Sequence, residues 1–500
     1  MKRRDFVRSS LFAAAATVPG ARALYAAAAQ TGQQADVPAV TGDGRAITLR
    51  GPDITELAGR LRGRLLLAKD EGYDSARRIL NPSFDKHPAL IVQPTGVADI
   101  QSAVNFAREH SLLLAVKCGG HSQSGQSTCE RGMLIDLSSF RGVRVDLRAR
   151  RAWVAGGTLL GQVDHETMAH GLVTPLGTVS HTGVGGLTLG GGFGRVARRF
   201  GLAVDNLESV DLVTADGQLR HASAQENRDL YWGVRGGGGN FGVVTTFELR
   251  LHPMQREVIA GTVVFPIEKA RDVLSLFADY GAAAPDELYF DPAMSLPPGG
   301  APGIVALQVC YSGPHEHAER VLAPIRKLGT PTKDTIKAVD YVALQRSNDT
   351  TDSRAIGTYL KGGFISGMPD KLVSALVDGF EGHPGRMTYL FFQHCGGAAS
   401  RVADDATAFA HRHAQANMIA AAGWRYGVDD PAEHIKAVRR YWATLEPFTH
   451  GFYVNDISPE ATAAEVNANY RSNYARLVTV KTKYDPGNLF RLNANVQPKA

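Results

Sequence analysis

At 500 residues, 44% hydrophobic and 21% charged, the chain has ordinary globular composition and length enough for two or three domains around a substantial core. A net charge of +5, with no run of Lys/Arg interleaved with aromatics beyond the N-terminus, argues against nucleic acid as a partner. Four cysteines, Cys118, Cys129, Cys310 and Cys395, are too few for a disulfide scaffold and lack zinc-site spacing, so no metal is expected. Buried free thiols are the default reading, with a Cys118 to Cys129 pair as the alternative in an oxidising compartment.

Residues 1–28 read as an export signal: a basic start, an apolar stretch at 11–18, and small residues around Ala21 and Ala23. Arg3 and Arg4 followed by Phe6 and Val7 resemble a twin-arginine signal, the route for folded and often cofactor-loaded proteins. No other stretch approaches the roughly 18 apolar residues that span a bilayer, so an exported, periplasmic or secreted protein without a membrane anchor is expected. A polar linker to about residue 45 precedes helices over 57–80, a buried strand at 89–92, a helix at 97–109 with Val97, Ile100, Val104 and Ala107 on one stripe, and a strand at 112–117. Short β-branched runs follow at 144–154 and 209–214, the latter ended by the turn Ala215-Asp216-Gly217. From Pro253 onward, strands at 259–265 and 304–311 alternate with amphipathic helices at 268–280 and 315–327. Strands at 387–394 and 450–455 precede a helix capped by Ser458 with Pro459 in its first turn. His315 and His317, like His411 and His413, sit two apart in polar helical stretches and read as solvated surface.

The 54 glycines clump instead of recurring at a fixed period. Three loops stand out: Gly119-Gly120-His121-Ser122 to Gly125; Gly183-Val184-Gly185-Gly186 through Gly190-Gly191-Gly192-Phe193-Gly194; and Gly236 to Gly239 followed by Asn240-Phe241-Gly242. Glycine lets backbone amides converge on an anion and lets the chain approach a ligand closely, so three such loops suggest an extended ligand such as an adenine dinucleotide. Hairpin turns of a β-rich domain would explain one or two of them. A Rossmann fingerprint fails on spacing, because neither Gly-rich run gives G-x-G-x-x-G between a strand and a long helix.

These loops, with Asp205 after Phe200-Gly201-Leu202, the run Arg235 to Thr245, Tyr453-Val454-Asn455, and Tyr484-Asp485-Pro486 to Asn495, make the chain resemble the berberine bridge enzyme-like branch of the vanillyl-alcohol-oxidase-type FAD-linked oxidases. The resemblance covers nearly all of residues 70–500. It implies an α+β fold with an FAD-binding domain of the p-cresol methylhydroxylase type built from both chain ends (45–252 and 457–500) and a central substrate domain (253–456) whose antiparallel sheet roofs the flavin ring. It also implies FAD bonded covalently to His121, held in addition by Gly119, Gly120, Ser122, Gly125, Gly177, Thr178, Thr182, Gly183, Gly185, Gly186, Gly192, Asn240, Gly242, Val244 and Asn493. Where many relatives link the flavin a second time through a cysteine, Val179 stands here, so a single linkage is expected.

Oxidation of an alcohol, or of a C–H bond beside a heteroatom, needs a base that takes a proton while hydride leaves for the flavin. Relatives place a tyrosine at the end of a Tyr-x-Asn-Tyr strand; here the run is Tyr453-Val454-Asn455-Asp456, so Asp456 is either the base or the cap of the turn before Ser458. Strand alternation puts Tyr453 and Asn455 on the face opposite Asp456. Gln393 takes another tyrosine position and either orients substrate or packs in the core, and Asn417 and Met418 follow Phe409-Ala410-His411-Arg412 where some relatives have a glutamate. The catalytic candidates are thus Asp456, Gln393 and Tyr453. The expected activity is an oxidase passing hydride from a hydroxyl-bearing small molecule to FAD and then to dioxygen. The alternatives are a dehydrogenase with another acceptor and a flavin carrier without turnover.

Overall fold

The computed structural model describes residues 34–349 and 355–499, so the export signal read at 1–28 lies outside the described residues. Residues 34–45, the described end of the polar linker, are ordered instead. Val37–Val40 pairs antiparallel with Ala46–Leu49, and Val40 also exchanges backbone hydrogen bonds with Arg131 and Leu113, a long-range pairing that polar composition conceals.

A four-stranded sheet follows in the order Arg64–Leu66, Leu90–Gln93, Met133–Asp136, Leu114–Lys117. Its three inner pairings include two parallel ones, and the apolar run of Met133–Asp136 is buried throughout, as a strand covered on both faces requires. The helix Val97–Glu109 has the expected bounds, with Ile100, Ala103, Val104 and Ala107 in the core. The helices expected over 57–80 are interrupted: one ends at Arg60, and Arg64–Leu66 is a strand on Leu90–Gln93. Gly63 permits this, because a Cβ there would lie 2.1 Å from the Gln93 carbonyl oxygen, and sheet pairing overrides the local helical preference. A second sheet of five antiparallel strands runs Leu219–Ser223, Leu207–Val213, Val243–Arg250, Arg151–Ala155, Val143–Asp146.

Residues 257–425 form the largest sheet. Its antiparallel centre is Glu257–Pro266, Ile304–Tyr311, Leu288–Leu296, Met387–His394, Ala416–Arg425 and Ile356–Ile365. Alternation decides its two faces. Phe290, Leu390, Phe392, Met418 and Ala420 point into a core shared with the helices Ala270–Ala283, Ala318–Arg326, Asp370–Asp378 and Pro431–Leu445, while Tyr389, Phe391 and Gln393 lie on the less buried face.

The chain then returns. Val466, Tyr470, Leu477, Val480, Tyr484 and Val496 pack in one core with Ala152, Val154, Phe247 and Leu249. A buried ion pair fixes this return. Lys481 Nζ donates to Asp485 Oδ2 at 2.7 Å and to the carbonyls of Asn240 and Phe490 at 2.8 Å, while the Asp485 carboxylate accepts from the amides of Leu489 and Phe490. Both side chains are fully buried.

Three expectations change. Residues 450–455 are not a strand: Val454–Asp456 is a 3-10 turn closed by the Asp456 amide on the Tyr453 carbonyl at 2.8 Å, entered through Gly451 at φ +78°. The following helix is capped by Thr462, in a capping box with Glu465, and not by Ser458. His411 is buried, stacked on Phe364 at 4.4 Å and bonded through Nε2 to Asn469 Oδ1 at 3.0 Å, because it faces a tertiary contact that helical spacing does not reveal; burial pushes its pKa down to about 3. All four cysteines are free, Cys129 Sγ donating to the Met133 carbonyl at 3.4 Å. No helix among the described residues is long and apolar enough to cross a membrane.

Lys481→Met leaves Asp485 buried without its counter-ion and is expected to destabilise the fold by about 3–5 kcal/mol. Lys483→Met, which removes the exposed partner of Asp229, should cost no more than about 1 kcal/mol. Thermal unfolding of the two variants side by side checks this, and equal losses would refute the clamp.

Candidate functional site

The first Gly-rich loop leaves the strand Leu114–Lys117; the second, taken with its lead-in from Gly177, runs into the helix Val184–Gly190. They touch backbone to backbone: a Cβ on Gly119 would lie 2.3 Å from the Gly183 nitrogen, and one on Gly183 2.3 Å from the Gly119 nitrogen. Behind the second loop, Asp349 accepts from the amide and hydroxyl of Ser180 at 2.8 and 2.5 Å, and Gln345 Nε2 donates to the Gly177 carbonyl at 2.8 Å. Arg195 donates to the Thr178 carbonyl and to Gln345 Oε1.

The loops wall a cleft of about 350 Å³. Gly119, Gly120, His121 and Ser122 line it from the first loop, and Gly177, Thr178, Val179, Thr182, Gly183, Gly185 and Gly186 from the second. Gly242 comes from the third loop, Val244 from the strand Val243–Arg250, Gln393 from the large sheet, and Tyr453, Asp456 and Asn493 from the returning C-terminal segment. Ser127 Oγ and Asn493 Oδ1 also border the cleft and are buried without a hydrogen-bond partner among the described residues, as groups reserved for a ligand would be.

Three residues chosen from sequence stand outside this lining. Gly125, at φ +71°, packs under Phe84, which lies 2.4 Å from where its Cβ would be. Gly192 sits at φ +86° against Ala203. Asn240 is a brace, donating to the carbonyls of Gly237 and Ala494 at 2.7 and 3.0 Å and accepting from the Val496 amide at 2.9 Å.

At one end of the cleft the His121 ring is held between two side chains. Its Nε2 shares a hydrogen bond of 2.6 Å with His181 Nδ1, and its Nδ1 lies 3.2 Å from Thr182 Oγ1. Burial, reinforced by His181, lowers the His121 pKa to about 4, so the imidazole is neutral near pH 7 and keeps a lone pair for bonding.

At the corner that holds the catalytic candidates, Asn417 Nδ2 donates to Asp456 Oδ2 at 3.0 Å and to Gln393 Oε1 at 2.9 Å. Burial raises the Asp456 pKa to about 6, against the opposing effect of the Asn417 bond. With its oxygen engaged by Asn417, Gln393 has no acceptor on its amide hydrogens among the described residues. The Tyr453 hydroxyl accepts from the Gly192 amide at 2.9 Å and from Asn455 Nδ2 at 2.7 Å, and burial raises its pKa strongly. These two bonds tie the Tyr453 hydroxyl to the Gly192 bend and to Asn455. The 3-10 turn also brings Tyr453, Asn455 and Asp456 to the cleft together, which strand alternation forbids. Asn417 stands out in the sequence only as a departure from pattern, and His181, absent from the sequence candidates, lies between Val179 and Thr182, which are among the positions named there.

A family model described as an FAD binding domain matches residues 88–223, and one described as berberine and berberine like matches residues 453–497. Over 455 residues the chain is 34% identical to an FAD-linked oxidoreductase of Dictyostelium discoideum, covering 89% of this chain and 97% of the relative. The crystal structure of 6-hydroxy-D-nicotine oxidase from Arthrobacter nicotinovorans is similar with a TM-score of 0.81 at 29% identity, covering 88% of this chain and 98% of that one. Glucooligosaccharide oxidase from Acremonium strictum, described as carrying 6-S-cysteinyl, 8α-N1-histidyl FAD, shares the fold with a TM-score of 0.80 at 24% identity, over 90% of this chain and all of that one.

Gly183→Ala forces apart the two loops that form the cleft wall and is expected to yield protein with little or no bound flavin. The ratio of visible flavin absorbance to protein absorbance after purification measures this, and a wild-type ratio would refute the role given to the contact.

Proposed function

The chain belongs to the berberine bridge enzyme-like FAD-linked oxidoreductases, and from that membership we propose that it is an exported oxidase of a hydroxyl-bearing small molecule, with FAD bonded to His121 alone. The observation that carries the catalytic part is the buried corner in which Asn417 holds both Asp456 and Gln393 at the edge of the glycine-walled cleft. Residues 45–252 with 457–500 would hold the FAD and 253–456 would roof it. The neutral His121 ring and the unpartnered Ser127 and Asn493 oxygens fit that cofactor, and Val179 at the position of a second linking cysteine supports single attachment. Export rests on the signal-like residues 1–28.

The flavin, when bound, supplies a hydride acceptor. Asp456 takes the hydroxyl proton at Oδ1, the oxygen to which Asn417 does not donate. A pKa of about 6 leaves it mostly ionised at neutral pH yet a stronger base than an exposed carboxylate. Gln393 donates its amide hydrogens to a second oxygen of the substrate and orients the reacting carbon. Tyr453 and Asn455 hold the Asp456 turn against the Gly192 bend.

Asp456→Asn is expected to slow anaerobic flavin reduction by roughly a hundredfold or more with the flavin spectrum intact. In the wild type the reduction rate should climb as pH rises through about 6, where the Asp456 carboxyl loses its proton, and level off above it. Asn417→Leu should move that limb to higher pH, because the carboxylate loses the donor that favours its charged form. An unchanged rate in Asp456→Asn would return Asp456 to a structural role.

His121→Ala should release all flavin into the supernatant after acid precipitation, whereas the wild-type pellet stays yellow; flavin retained by the variant pellet would defeat the single-linkage proposal. Thr182 lines the cleft with a side chain close to valine in volume, the choice associated with oxygen-reactive relatives, and supports dioxygen as acceptor. Pre-reduced enzyme mixed with air-saturated buffer should reoxidise promptly and release hydrogen peroxide. Reoxidation over many minutes, with artificial dyes accepting electrons readily, would make the protein a dehydrogenase.

A further inference from the structure

A second cavity, of about 220 Å³, lies between the helix Pro431–Leu445 and the strands Met387–His394 and Ala416–Arg425, and it shares no lining residue with the cleft. Arg386 borders it and is only 6% exposed. One edge of its guanidinium is occupied: Nε donates to Thr388 Oγ1 at 2.9 Å and Nη2 to the Glu381 backbone carbonyl at 3.2 Å. Both acceptors are uncharged. Among the described residues Nη1 has no hydrogen-bond partner, and Arg386 forms no ion pair. The Glu381 carboxylate acts on it, but that group is engaged at 3.1 Å by Arg440, which also borders the cavity.

Two guanidinium groups thus face one carboxylate. A buried aspartate or histidine relieves its burial by becoming neutral; arginine keeps its charge, so a buried guanidinium calls for an anion. The remaining polar groups narrow the choice. Thr388 donates its hydroxyl hydrogen to the Glu381 carbonyl at 3.1 Å, Tyr441 to the Leu376 carbonyl at 2.6 Å, and Thr444 to the Tyr441 carbonyl at 2.8 Å. None of these hydroxyls has a hydrogen left for a ligand, so the guanidinium groups of Arg386 and Arg440 are the side-chain donors that border the cavity. The rest of the wall is apolar, with Ala421, Ala437 and Val438.

We infer that this cavity binds a small monocarboxylate, its two oxygens meeting the free Nη1 and Nη2 edge of Arg386 and its carbon chain lying against Ala421, Ala437 and Val438. One negative charge matches the one uncompensated positive charge, and the planar fork suits a carboxylate. The site is independent of the oxidoreductase reading, and the strand that carries Thr388 also carries Gln393.

Isothermal titration of the flavin-loaded protein with butyrate at fixed ionic strength tests this. A single saturable binding event is expected, weakened at least roughly thirtyfold in Arg386→Gln, as for removal of one partner of a buried charge pair. Ala437→Leu fills the cavity without altering any charge and should abolish the event as well, which keeps the test decisive if Arg386→Gln folds poorly. Absence of saturable binding to the wild type, undiminished binding to Ala437→Leu, or preference for inorganic phosphate over butyrate would each overturn the assignment.

Discussion

The backbone contact between Gly119 and Gly183 is the constraint on which the rest of the site depends. Each residue occupies the space in which the other's Cβ would stand, so no larger residue is tolerated at either position without separating the loops. The approach brings His121 against His181, sixty positions away, and against Thr182, and it sets the floor of the cleft that the large sheet and the C-terminal segment then cover. Asp349, Gln345 and Arg195 support the second loop from behind, with Gln345 also donating to the buried Asp164. The contact is therefore held by a polar network and not by glycine flexibility alone.

Burial acts in opposite senses on the two ends of this cleft. At His121 it lowers the pKa, and at Asp456 it raises it, since in each case the charged form is the one that loses solvation. One low-dielectric pocket thus keeps an imidazole neutral and makes a carboxylate more basic, without a charged neighbour being needed at either. Asn417 limits the second effect by donating to Asp456, and it couples the acid to Gln393 across two strands of the sheet.

The third wall is supplied by residues more than 200 positions from the first loop. Their placement depends on the return of the C-terminal segment, and there the Lys481–Asp485 pair gathers the carbonyls of Asn240 and Phe490 and the amides of Leu489 and Phe490 into one buried cluster. Asn240, which follows Gly239 in the third loop, belongs to this brace and is not among the residues that line the cleft.

Local pattern along the chain is enough to specify part of this protein. The helix Val97–Glu109, the strands Ile304–Tyr311 and Met387–His394, and the glycine loops with His121 are all legible because periodicity and backbone freedom are properties of a few adjacent residues. Features set by partners distant in the chain emerge only when the chain has folded. Arg64–Leu66 became a strand because Leu90–Gln93 was there to pair with it, and Val454–Asp456 became a turn that points three side chains at one cleft. His411 was drawn inside by Phe364 and Asn469, and Asn417 became the link between Gln393 and Asp456. In each case the deciding energy is a long-range hydrogen bond or packing contact, and such contacts leave no periodic trace in the residues that make them.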